Sequence, residues 1–146
     1  MDMKIVLDTN VLFQAIHSEK GASHKILPLI RSGKLTLLIS TAVLTEYEEV
    51  LKRNSRELNL TKENIDDLLV YFAYIGKKII PRYLWRPNLQ DEGDNIFVEL
   101  ALNGNADWLI TQNISDFKNN AELKSYELKI DTPSNFMKYW RGKNEK

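Results

Sequence analysis

Residues 5–16 read IVLDTNVLFQAI. Ile5, Val6 and Leu7 run without alternation into Asp8, Thr9 and Asn10, and a second apolar-rich run follows. An unbroken apolar strand is one covered on both faces, as in a parallel sheet. Val11, Leu12, Ala15 and Ile16 then fall on one side of a helix spanning 10–18. A strand that passes into a helix within three residues is the opening of a βα unit. Its junction carries a carboxylate beside the core, which is costly to desolvate without compensation.

The same alternation continues along the chain. Ser23 is expected to cap a second helix that Gly33 ends. LTLLIS (35–40) reads as the next strand and TAVLTEYEEVLKR (41–53) as a helix, with Val43, Leu44, Tyr47, Val50 and Leu51 at helical period. Thr61 starts another helix through LLVYFAYI, stopped by Gly76. KKII (77–80) is a short strand, PRYLWRPNLQ (81–90) the only long loop, and FVELALNG helical. WLIT (108–111) is a strand followed by a polar turn, and LKI (128–130) is the last strand. Thr132-Pro133 has the form of a helix cap followed by proline at the first helical position. Strands alternating with helices predict a single α/β domain over residues 1–140, with a loose tail at 141–146.

Composition narrows the chemistry. Twenty basic and twenty acidic residues cancel, so overall charge neither favours nor disfavours a polyanionic partner. With no cysteine and two histidines, thiolate and histidine-rich metal sites are excluded. No basic stretch leads into a long apolar one at the N-terminus, and no apolar run approaches the ~20 residues of a membrane helix. The expected location is the cytoplasm.

In an open parallel sheet, ligands gather beyond the carboxyl ends of the strands. The acids fall there. Asp8 follows the first strand, and Glu46 lies in the helix after LTLLIS. Asp91, Glu92 and Asp94 crowd the start of the DEGDNIFVELAL helix, while Asn113 and Asp116 follow WLIT. Singly, such acids are ordinary helix caps, solvated positions or responses to the helix dipole. Converging carboxylates repel one another, and a hard divalent cation such as Mg²⁺ or Mn²⁺ relieves that. Oxygen ligands without His or Cys point to metal-assisted phosphoryl chemistry.

IVLDTNVL, STAVLTEYEEVL and DEGDNIFVELALNGNADWLITQNISDF, in that order, resemble a PIN-domain nuclease over nearly the whole chain, most closely the bacterial branch of toxin components of toxin–antitoxin pairs (VapC-like). The resemblance implies a three-layer α/β/α sandwich with strand order 3-2-1-4-5. It implies endoribonuclease action on single-stranded RNA, water activated by Mg²⁺ or Mn²⁺ attacking phosphorus. Asp8, Glu46 and Asp94 match the metal-holding acids, and Thr9 and Asn10 complete the opening motif. Many PIN domains carry Asp where TQN places Asn113, and Asp116 is positioned to supply the missing charge. A cognate antitoxin is implied as partner, and a homodimer too, for which the sequence marks no interface.

KKIIPRYLWR (77–86) sets basic residues among Tyr83 and Trp85, the mixture that single-stranded nucleic acid needs. Arg82 and Arg86, with Thr9, Asn10 and Thr111, are the expected substrate contacts. Lys52, Arg53 and Arg56 read as solvated helix-end cations. His17 and His24 read as makers of surface or capping hydrogen bonds, and Trp108 and Trp140 as core. A haloacid-dehalogenase phosphotransferase would need a second Asp at position 10, where Asn10 stands. A response-regulator receiver would need an acid pair and a strand-end Lys that are absent. The remaining alternative is a non-catalytic PIN scaffold that binds RNA or a protein partner, which Asn113 favours.

Overall fold

A computed structural model describes residues 3–82, 95–118 and 127–144. Five parallel strands form one sheet in the order β3-β2-β1-β4-β5: β1 (Met3–Leu7), β2 (Leu35–Ile39), β3 (Lys77–Lys78), β4 (Trp108–Ile110) and β5 (Lys129–Asp131). Ile5 pairs with Leu37 on one side and Trp108 on the other, so β1 is the centre. Its Ile5, Val6 and Leu7 are all buried, successive side chains pointing to opposite faces. Both faces are therefore covered, as the unbroken apolar run requires.

The helices that cover them are α1 (Thr9–His17), α2 (Ala22–Arg31), α3 (Thr41–Arg53), α4 (Ser55–Leu58), α5 (Lys62–Ile75), α6 (Asn95–Asn103), α7 (Ile114–Lys118) and α8 (Pro133–Asn144). Among them α2 packs on α1 and α8, and α3 on α5, α1 and α6. Helices flanking the sheet make the α/β/α sandwich. No described helix is long and apolar enough to cross a membrane.

Local chemistry sets most boundaries. Ser40 caps α3 by accepting from the Val43 amide at 3.2 Å. Thr61 and Asn64 exchange bonds in a capping box at the start of α5. Thr132 accepts from the Asn135 amide at 3.2 Å, so the Thr-Pro pair starts α8. That helix runs on to Asn144, through the first residues of the expected loose tail.

Some expectations change. Gly21, not Ser23, is the N-cap of α2, and Ser23 lies buried in its first turn. The helix ends at Arg31, with Gly33 at φ 82°. There the amides of Gly33 and Lys34 bond back to Ile30 and Leu29, the Schellman arrangement. β3 keeps two residues rather than four, because Pro81 follows closely and has no amide for the ladder. The polar turn after β4 contains a helical turn, α7. Lys52 is not simply solvated: its ammonium lies 2.9 Å from Glu48 and 2.6 Å from Asp66, and these bonds raise its pKa. His24 meets the Ala15 carbonyl at 2.8 Å, and His17 stacks on Phe13. Trp108 is buried against Phe136, whereas Trp140 is only half-buried.

Candidate active site

Because every strand is parallel, the residues after β1, β2 and β4 emerge at one edge of the sheet. Asp8 stands first there. It is 4% exposed, in extended conformation, and its backbone carbonyl accepts from the amides of Val11 and Leu12 at the start of α1. An Asp at this place ordinarily turns its carboxylate onto those amides as a cap. Here the side chain makes no capping bond to α1. Instead Oδ2 accepts the hydroxyl of Thr111 at 2.7 Å, across 103 residues, from the residue after β4. Thr111 is fully buried, and its Oγ1 accepts in turn from the Asn113 amide at 3.0 Å. The carboxylate is thus held by the neighbouring strand.

Tyr47 closes the floor. Its ring is buried against Phe97, and its hydroxyl donates to the Leu7 carbonyl at 2.6 Å, one residue before Asp8. Burial pushes the Tyr47 phenol far above its usual range, and the Asp8 carboxylate adds to the shift. The phenol therefore stays neutral and serves as a fixed donor.

Glu46, the neighbour of Tyr47 on α3, is half-buried. On α6, which packs over β1 and against α3, Asn95 and Glu99 are buried one turn apart. Asn95 Oδ1 has no hydrogen-bond partner among the described residues, and neither has the buried Thr9 Oγ1. Asn10 is exposed, Asp116 half-buried with its amide on the Asn113 carbonyl, and the Asn113 side chain exposed. Arg82 is exposed, and its backbone amide donates to Asn103 Oδ1 at 2.9 Å. Asp91, Glu92, Asp94, Tyr83, Trp85 and Arg86 lie outside the described residues.

Among the described residues, no three His, Cys, Asp or Glu side chains come together as a metal site. Of the acids expected to hold a metal, Asp8 is buried and Glu46 half-buried. Carboxylate oxygens are the donor type a hard divalent cation takes, and the third expected acid, Asp94, lies outside the described residues. Three buried polar side chains escaped sequence reading. Tyr47 was legible only as core. Asn95 and Glu99 gave a faint signal, two polar residues one turn apart on the helix stripe that carries the buried Val98.

A family model for the PIN domain matches residues 4–115. The chain belongs to the PIN-domain family. PIN domains are in general nucleases, hydrolases of phosphodiester bonds. The match takes in Asp8, Glu46, Asp94 and Asn113, and stops one residue short of Asp116. This PIN domain is 28% identical over 141 residues to an uncharacterised protein of Methanocaldococcus jannaschii, covering 92% of this chain and 90% of that one. Its fold is similar to the crystal structure of VapBC2 from Rickettsia felis bound to a DNA fragment from their promoter. The TM-score is 0.58 at 22% identity, covering 88% of this chain and 98% of the other.

Proposed function

We propose that this PIN domain is a metal-dependent endoribonuclease acting on single-stranded RNA, and the toxin of a toxin–antitoxin pair. The observation that carries the reading is the orientation of Asp8, whose buried carboxylate ignores its own helix and is held by Thr111 instead. A structural cap would have no use for that second donor. Asp8, Glu46 and Asp94 would hold Mg²⁺ or Mn²⁺, which when bound supplies positive charge against the phosphodiester and polarises water. Thr111 fixes the direction of Asp8. Tyr47 pins the end of β1, so that carboxylate and strand move as one body. Glu46 serves as a ligand or to orient water and take up a proton, with Asn113 and Asp116 as weak or outer ligands. Thr9, Asn10, Thr111, Arg82 and Arg86 are the proposed substrate contacts, Asn10 and Arg82 being exposed. The likeness in fold to a VapBC2 assembly supports an antitoxin partner.

The test is cleavage of a panel of unstructured and tRNA substrates with Mg²⁺, Mn²⁺ or EDTA, alongside Asp8→Asn and Asp94→Asn. Cutting should require metal and fall on the order of 100-fold or more in each variant. Cutting that persists in EDTA or in both variants would overturn the reading. RNA that stays intact but is bound equally by wild type and Asp8→Asn would favour the non-catalytic scaffold.

A further inference from the structure

A groove of about 440 Å³ lies among α1, α2 and α8. It is lined by Gln14 and Ser18 at the end of α1, Gly21 and Ser23 at the start of α2, Gln112 after β4 and Ser134 in the first turn of α8. Gln112 stands between Thr111, which holds Asp8, and Asn113, so the groove adjoins the Asp8 edge. None of its lining residues is charged, and hydroxyls and carboxamides predominate. α2, ten residues long, begins at Gly21 with no side chain capping it. The positive end of its dipole is left for another acceptor. Ser23, in that first turn, is 6% exposed and borders the groove, and its hydroxyl makes no hydrogen bond among the described residues. A hydroxyl so buried ordinarily has a partner. Here it opens on the groove instead.

Uncharged donors around the open N-terminus of a helix suit a singly charged oxyanion, which lining carboxylates would repel. Asp131, close in sequence to Ser134, is already engaged: its Oδ1 accepts from the Thr132 amide and from Asn135 Nδ2, each at 2.8 Å. The exposed Lys20 and Lys25 flank Gly21 and Ser23 along the chain, against one exposed acid there, Glu19. We infer that this groove takes a phosphodiester group of the RNA strand beside the bond to be cut, with the Ser23 hydroxyl and the first amides of α2 as its donors. For the identity of its ligand this inference rests on the nuclease reading, and it adds to that reading a positioning site on α2. Phosphate contacts fix the register of a strand without reading its sequence. A strand held both here and at the Asp8 edge is fixed at two points, which sets the linkage that reaches Asp8.

Two measurements on the purified full chain test it, both in EDTA, where the proposed nuclease is idle. In the first, backbone amide NMR shifts are followed while a dinucleoside monophosphate, uridylyl-uridine, is added. The amides of Ala22 and Ser23 should move and saturate, and the neutral methylphosphonate analogue should move them far less. In the second, a short unstructured RNA is bound by wild type, Ser23→Ala and Gly21→Asp, read by fluorescence anisotropy. Each variant should bind roughly three- to tenfold more weakly, the range of one hydrogen bond to a charged group. Aspartate at an N-cap supports its own helix, so Gly21→Asp should melt no lower than wild type, and its weaker binding is then not a loss of fold. Amides that stay still, a methylphosphonate that binds as well, or variants that hold RNA like wild type would overturn the inference. So would inorganic phosphate that moves the same amides while RNA binding ignores both substitutions, since the groove would then serve a free anion. Neither measurement depends on cutting, so failure here is distinct from failure of the nuclease reading, which the cleavage panel decides.

Discussion

At the residue scale, the site rests on two buried oxygen donors with different jobs. Thr111→Val keeps the shape of the side chain but removes the donor to Asp8 and the acceptor of the Asn113 amide. Leaving buried polar groups unmatched costs about 1–3 kcal/mol. Chemical denaturation should show that loss, and any metal-induced rise in melting temperature should shrink with it. Tyr47→Phe removes the 2.6 Å bond to Leu7 and should cost about 1–2 kcal/mol near neutrality. Its pH dependence is distinctive. The folded-state pKa of Tyr47 is raised, so its contribution is complete below the unfolded value of about 10 and fades as pH climbs beyond it, where only the unfolded chain ionises. A stability profile from pH 8 upward should fall more steeply in wild type than in the phenylalanine variant. Equal slopes would mean that the phenol titrates freely.

At the scale of elements, close approach matters more than propensity. Gly76 ends α5 with ordinary negative φ, so its need is spatial. A Cβ there would lie 2.8 Å from the Phe72 carbonyl and 2.9 Å from that of Leu37, backbone atoms that cannot swing aside. Gly76→Ala should therefore destabilise by roughly 1–3 kcal/mol, the scale of core overpacking, read as a lowered denaturation midpoint. An alanine without effect would show that α5 can shift away from β2. Thr61→Ala at the other end of α5 removes half of the capping box and should cost about 1 kcal/mol. Helix caps of this kind were legible in the chain because a Thr or Ser side chain bonds to amides only two or three residues away. The Gly76 contact was not, since Leu37 comes from a different strand.

For the molecule as a whole, binding and stability are linked. A cation held only by the folded chain raises its stability, by about 2.7 kcal/mol at a hundredfold excess over the dissociation constant. Mn²⁺ should therefore raise the melting temperature of the wild type and leave Asp8→Asn unmoved, a readout that needs no RNA. An equal rise in both would place the cation elsewhere. The unbroken apolar strands and the helices between them determined the parallel sheet from sequence alone. So did the junctions where acids follow strands, because burial on both faces and local capping leave marks at short range. The tertiary structure alone decided which group holds Asp8, since Thr111 reaches it across 103 residues through strand pairing. It alone separated the buried Phe72 from the exposed Tyr74 within the apolar run of α5, because burial depends on which face meets the sheet. Periodicity names a helix. Packing decides what that helix leaves open.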